Sequence, residues 1–328
     1  MLWARELIAR PAPVHRRASP DRSALVERAT AAYLGLAIGD ALGATVEFLT
    51  PREILQQYGT HQDITGGGWL RLKPGQVTDD TTMSLALGDA ILATGRVEAR
   101  AAAEAFDAWM RAKPVDIGNT VRRNLITFRK TGNPEAPPSE HDAGNGAAMR
   151  VLPAALATFG HGPEATAAAC RAQGHVTHHN ALSDAASIAL AGMVQDFMNG
   201  LPDDDVERRH CLPLIAAHPC FTYTSKPREN PSGFVVETLQ AVLQSLFATE
   251  SFEDCLIDVV NRGGDADTTG AIAGMLAGAR YGLEAIPPGW LRKLEPAIRE
   301  RCAEQARKLV TTAASRTGKY PESAINLG

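Results

Sequence analysis

Two glycine stripes constrain the folding of this 328-residue chain more than any other feature. Gly35, Gly39 and Gly43 recur at four-residue spacing near the start, and Gly270, Gly274 and Gly278 repeat the pattern near the end. Residues four apart lie on one face of a helix. A glycine inside a helix costs about 0.5–1 kcal/mol relative to alanine, so each stripe needs an offsetting gain. Close approach of two helix backbones supplies it. The two helices are therefore expected to be central neighbours, and the second would carry Asp265 and Asp267 into the middle of the bundle.

The rest of the chain reads as helix after helix. Apolar residues recur with helical period over roughly 23–43, 81–94, 97–112, 119–130, 145–159, 164–173, 181–199, 204–217, 232–248, 252–260, 268–281 and 289–313. Gly95, Pro114, Gly132, Gly160, Gly200 and Gly282 follow these runs as stops. Alternating β-branched stretches are nearly absent, residues 221–224 being the best of them. The expected fold is all-α, a compact single-domain helical bundle over residues 23–328. Residues 1–22, with Arg5, Arg10, Arg16, Arg17 and three prolines, are expected to form a flexible tail rather than a signal peptide. The long irregular stretches fall at about 59–79, 132–144 and 218–231, and two of them adjoin acidic motifs.

Charge and cysteine usage exclude several classes. A formal net charge of −4 and a pI near 6.2, with no basic stripe, argue against nucleic acid as a partner. Five scattered cysteines form no Cys-x-x-Cys pair and read as reduced cytoplasmic thiols. No apolar run approaches the roughly 18 residues of a membrane span.

Chemistry concentrates in Thr78-Asp79-Asp80-Thr81 and Asp265-Ala266-Asp267-Thr268. Two carboxylates about 4 Å apart repel by roughly 4 kcal/mol at an effective dielectric near 20. A divalent cation would remove that repulsion. Each pair follows glycine and turn residues, so each is expected at the start of a helix, where negative charge is favoured. Plain helix capping is the competing reading. An all-oxygen ligand set suits magnesium, manganese or calcium, and balancing the charge suggests a binuclear centre that activates water.

Longer segments carry a resemblance. Gly39-Asp40-Ala41-Leu42-Gly43-Ala44-Thr45-Val46-Glu47-Phe48, Gly75 to Thr81, Gly144-Asn145-Gly146-Ala147-Ala148-Met149-Arg150 and Gly263 to Gly270 resemble the ADP-ribosylglycohydrolase family. Gly66 to Gly75 and Pro114 to Thr120 are similar to its branch in nitrogen-fixing bacteria. The resemblance runs from about residue 28 to about 310. It implies an all-helical fold holding two manganese ions, with magnesium as an alternative, and hydrolysis of the N-glycosidic bond between ADP-ribose and arginine. In that branch the substrate is ADP-ribosylated dinitrogenase reductase, the iron protein of nitrogenase, and its reactivation regulates nitrogen fixation. The resemblance further implies a P-II signalling protein and, through it, a membrane ammonium channel as partners of a cytoplasmic enzyme held reversibly at the membrane.

Carried over residue by residue, the family's metal ligands fall on Thr78, Asp79, Asp80, Asp265, Asp267 and Thr268, and all six are present. Its substrate contacts fall on Asn119, Thr120, Val121, Glu140 and His178, and its further acidic positions on Asp116 and Asp142. Asp116 is expected either as the general acid/base or as a cap for the helix beginning at Gly118 or Asn119. Asp79 and Asp142 join it as catalytic candidates, while solvated surface charge competes for Asp142 and Glu140. Trp69, Trp109 and Trp290 are candidates for stacking on adenine, Trp109 also fitting the core, and Arg122-Arg123 for meeting pyrophosphate. Phe234 stands where a tyrosine is expected, which keeps a stacking ring and loses the phenol, and residues 225–232 look longer than in relatives. A hydrolase of another ADP-ribose linkage, to serine or a small molecule, and a non-catalytic ADP-ribose binder are the alternatives. Retention of all six ligand positions favours an active enzyme.

Overall fold

The computed structural model describes residues 21–317. Most of the expected tail, residues 1–20, lies outside them. Asp21 caps the first helix, α1 (Arg22–Gly43), by accepting from the Ala24 amide at 2.8 Å. Next comes α2 (Pro51–Tyr58), which the apolar period did not reveal. Its signal is a capping box in which Thr50 and Glu53 satisfy each other's amides and Pro51 opens the helix. The helices α3 (Asp79–Thr94), α4 (Ala99–Arg111) and α5 (Asn119–Thr131) follow, with Gly95 and Gly132 ending α3 and α5 in left-handed conformation.

The expected helix over 145–159 is instead a short 3₁₀ turn, Asn145–Ala147, followed by α6 (Leu152–Ala157). Then come α7 (Pro163–Gly174), α8 (Ala181–Met198) and α9 (Asp203–Val206), which passes through a π-helical turn, Glu207–Cys211, into α10 (Leu212–Ala217). The C-terminal third holds α11 (Val235–Ala248), α12 (Phe252–Val260), α13 (Ala266–Tyr281), α14 (Pro288–Lys293) and α15 (Pro296–Thr317). One helix over 289–313 does not form. Pro296 disfavours helical geometry at the residue before it, so the chain breaks there into α14 and α15. Among the described residues there is no strand, only isolated bridges such as Gly144 to Phe234.

The two glycine helices meet as their spacing implies. α1 and α13 run antiparallel, and a Cβ added at Gly35, Gly39 or Gly43 would lie 1.9–2.1 Å from the carbonyl oxygen of Gly274, Gly270 or Ala266 respectively. At Gly278 the obstacle is the Ala31 carbonyl oxygen, 2.2 Å away. No side chain fits between these backbones. Both helices are buried around nearly their whole circumference, as expected of central elements, with α8, α11, α12 and α15 packed around them. This pairing brings the C-terminal end of α1 beside the N-terminal end of α13, where the acidic residues sit.

Candidate metal centre and ligand cleft

Six carboxylates gather where α1, α3 and α13 converge. Asp40, near the end of α1, caps α3 from outside. Its oxygens accept from the Thr78 amide at 2.9 and 3.1 Å, the Thr81 amide at 3.1 Å and the Thr81 hydroxyl at 2.5 Å. Thr78, the local cap residue, makes no side-chain capping bond of its own. The amides that a helix start leaves without partners are thus tied to α1, and Asp79 and Asp80 are fixed at the first turn of α3. Neither sequence pair is capping its own helix in the ordinary way, because Asp265 at the head of α13 makes no side-chain capping bond either.

Asp265 is placed by backbone. Gly263 and Gly264 adopt positive φ of 70° and 66°, and a Cβ on either would lie 2.1 Å from a carbonyl oxygen, of Leu49 and Pro231 respectively. Only glycine passes between these strands of chain. Phe48 donates to the Gly264 carbonyl at 2.7 Å, Gly264 to Leu49 at 2.9 Å and the Asp265 amide to Pro231 at 2.8 Å. The Asn145 amide then donates to Asp265 Oδ2 at 2.5 Å and to the Thr238 hydroxyl at 3.0 Å.

The two distant motifs do come together. Thr78 Oγ1 lies 3.3 Å from Asp80 Oδ2 and 3.5 Å from Asp267 Oδ2, and Thr268 Oγ1 lies 3.3 Å from Asp80 Oδ2. Carboxylate oxygens of Glu47, Asp265 and Asp267 lie within 4.8 Å of one another. Glu47 and Asp40 were not among the ligand candidates. Their signal was a pair of acids in and just beyond an otherwise apolar glycine helix, where a charge without a purpose is expensive.

Burial drives the electrostatics. It pushes the carboxyls of Asp79 to about 7 and Asp40 to about 6, with repulsion from Asp116 and Asp40 adding to the shift at Asp79. Glu47 rises to about 8, mainly by burial, with Asp265, Asp116 and Asp79 adding to it and the Trp69 indole opposing from 2.6 Å. Asp80 and Asp267 are raised well above the carboxylate range by burial and then by their acidic neighbours. Asp80 Oδ1 is buried with no hydrogen-bond partner. A buried oxygen acceptor without a donor, inside a cluster of repelling carboxylates, fits a hard divalent cation. The metal requirement that the resemblance implies and this donor set agree.

The remaining expected residues divide into those at the cluster and those behind it. Asp116, in the loop before α5, faces the cluster closely enough to raise Asp79, Glu47 and Asp265. Its side chain accepts from the Ile117 amide at 2.7 Å, and Gly118, not Asp116, takes the capping position of α5. The Gly118 amide donates to Asp79 Oδ2 at 3.3 Å. Asn119 and Thr120 open α5 beside it. Val121 follows with its side chain buried in the core, so a ligand contact there would run through its backbone amide. Asp142 is buried and engaged by Arg123 and by Asn124 at 3.3 Å. Glu140 is exposed on the same loop. His178 is 3% exposed and packs under Gly144 and Gly146, which flank Asn145.

Aromatic rings rim the opening. Gly233 lies beside the cluster, since a Cβ there would be 3.5 Å from Asp265 Oδ2, and Phe234 next to it is exposed. Trp69 is exposed and packs at a tilt against Phe48, with ring centroids 5.4 Å apart. Phe48 is itself held at φ 64°, a strained setting for an aromatic residue. Trp290 is buried, and Trp109 packs against the core with its indole donating to Thr82 at 3.0 Å, so Trp69 alone of the three expected tryptophans is free to stack.

Comparison with known proteins converges on one family. The model of the ADP-ribosylglycohydrolase family matches residues 21–319. The chain is 50% identical over 287 residues to ADP-ribosyl-[dinitrogen reductase] glycohydrolase of Rhodospirillum rubrum, covering 88% of this chain and 97% of that protein. It is 34% identical over 282 residues to ADP-ribosylarginine hydrolase Tri1 of Serratia proteamaculans, covering 82% and 75%. Among solved structures, an ADP-ribosylglycohydrolase-related protein complex superposes with a TM-score of 0.79 at 34% identity, over 89% of this chain and 99% of that one.

Proposed function

The chain belongs to the ADP-ribosylglycohydrolase family, and from that premise we propose that it is a metal-dependent hydrolase that removes ADP-ribose from a modified arginine of dinitrogenase reductase and so reactivates it. Identity of 50% along nearly the whole length of the R. rubrum glycohydrolase supports the substrate, and similarity to an ADP-ribosylarginine hydrolase supports the linkage. The observation that carries the catalytic reading is the buried carboxylate cluster with its partnerless Asp80 oxygen. Thr78, Asp79, Asp80, Asp265, Asp267 and Thr268 would hold two manganese ions, or magnesium, with Glu47 as a further oxygen donor. Such ions would neutralise the carboxylates and activate water for attack.

The protein's own groups supply the rest. Water attacks the anomeric carbon of the ribose as its bond to the guanidine nitrogen breaks, and the oxocarbenium-like transition state gains from the negative field of the cluster. Asp116, hydrogen-bonded only to the next amide in the chain, takes the proton that the attacking water loses and returns it to the departing guanidine. The first amides of α5, at Asn119, Thr120 and Val121, follow Gly118, whose own amide meets Asp79, and would suit the pyrophosphate. Arg123 and Asn124 tie Asp142 to α5, so Asp142 positions this anion site. Phe234 and Trp69 offer flat apolar faces for adenine, and exposed Glu140 is placed to accept from a hydroxyl. Sequestration by a P-II protein at an ammonium channel completes the proposal.

The deciding experiment is release of ADP-ribose from modified dinitrogenase reductase and from an ADP-ribosylated serine peptide, with and without manganese. Release from the reductase alone, dependent on manganese and reduced about 10²–10⁴-fold in Asp116→Asn, is expected. Release from serine alone would replace the substrate assignment, and full activity of Asp116→Asn would remove its proton-transfer role.

A further inference from the structure

Arg150 is fully buried and makes no ion pair among the described residues, although the charge of Asp79 acts on it from beyond contact distance. Its guanidinium donates from Nε to Gln173 Oε1 at 2.9 Å, and from one terminal nitrogen to the Gln173 carbonyl at 3.0 Å and the Thr177 hydroxyl at 2.7 Å. The other terminal nitrogen has no partner, and the cation lies 4.4 Å from the centre of the Phe106 ring. An arginine in such surroundings carries a large desolvation penalty that neutral acceptors offset only in part. Holding a loop would not require a full charge.

The next link explains its use. Thr177 Oγ1, already accepting from Arg150, lies 2.8 Å from His178 Nδ1. Arginine can only donate, and no other acceptor for the Thr177 hydroxyl hydrogen lies among the described residues, so that hydrogen is left for His178 and Nδ1 accepts it. We propose that Arg150, acting through the Thr177 hydroxyl, fixes His178 as the neutral tautomer with its proton on Nε2, so that the ring presents one N–H donor toward the ligand cleft.

Nε2 has no hydrogen-bond partner among the described residues, and its edge of the ring lies against Gly144 and Gly146, where a Cβ would be 3.0 and 3.1 Å from it. Those glycines flank Asn145, which holds Asp265, so this edge of the ring faces the segment that supports the acidic cluster. A second proton on Nδ1 would face the donor side of Thr177. Burial and the nearby charges of Arg150 and Arg123 push His178 down to about 3, in the same direction. Arg150 and Thr177 are positioning residues in this scheme. The acceptor would be an oxygen of ADP-ribose, and that part rests on the proposed function.

Nitrogen-15 NMR of the His178 ring in the full chain tests the inference, since the two neutral tautomers and the cation give separate shifts. The wild-type ring should stay neutral with the proton on Nε2 from pH 5 to 8. Thr177→Val, which keeps shape and removes the hydroxyl, should shift the ring to a tautomer mixture and raise KM for the modified reductase about tenfold with kcat little changed. Thr177→Ser should restore both. A wild-type ring protonated on Nδ1 or charged, or a Thr177→Val ring unchanged, would overturn the proposal. Absence of ADP-ribose release with the expected NMR pattern would instead count against the function and leave the tautomer assignment standing.

Discussion

Asp40 illustrates what single residues contribute and why they were hard to read. It was not an expected ligand, yet it satisfies the Thr78 and Thr81 amides that open the helix bearing Asp79 and Asp80. Asp40→Ala would leave those buried donors unpaired, and a loss of about 2–4 kcal/mol in unfolding free energy is expected, measurable by urea denaturation, together with weaker manganese binding. A loss below about 1 kcal/mol would show that the cap is dispensable. The convergence of the two acidic motifs was legible because acid and hydroxyl residues crowd into two short stretches of chain. Asp40 and Glu47 were not legible as site residues, since each is a single acid whose side-chain partners lie 22 residues or more away in sequence. His178 shows the converse, a residue identified by motif whose accessible chemistry depends on Thr177 and Arg150, which no spacing rule connects.

At the scale of elements, the glycine stripes were the strongest signal because they encode backbone contact directly. Gly39→Ala would drive a methyl group to within 1.9 Å of the Gly270 carbonyl oxygen, and neither backbone can yield without parting α1 from α13. Destabilisation of about 3 kcal/mol or more is expected, along with weaker metal binding, because α13 carries Asp267. Gly289→Ala is the control: nothing lies within 4 Å of its added Cβ, and thermal melting should be unchanged or slightly raised. Equal effects of the two substitutions would refute close backbone packing as the reason for the stripes. Helix existence followed from apolar period, while α2 escaped it because only Ile54 of its eight residues is buried. Its capping box was the available clue. The break before α15 was equally visible in Pro296, but the helical spacing of Leu291, Leu294 and Ile298 across the junction masked it.

For the whole molecule, the cluster makes stability depend on pH and metal together. The folded-state carboxyls of Asp40, Asp79 and Glu47 sit at about 6, 7 and 8, above the ordinary range near 4. Between those limits the folded chain binds more protons than the unfolded one, so stability is full below about pH 4 for these groups and is lost as pH rises through 6 to 8. Metal-free protein should therefore melt on the order of 5 °C lower at pH 8 than at pH 6, as read by calorimetry. Manganese should shrink that difference and release protons on binding at pH 6. A metal-free melting temperature that rises over this range would contradict the buried-carboxylate picture. Beyond the fold, what the sequence could not convey was depth, because a motif names its acids without saying that they are enclosed and short of donors. The most direct test of the account is isothermal titration of the full chain with manganese at pH 7.5, in wild type and Asp80→Asn. Two ions bound per wild-type chain, with affinity at least tenfold weaker in the variant, is the expected result; no binding to wild type, or equal binding to both, would contradict it.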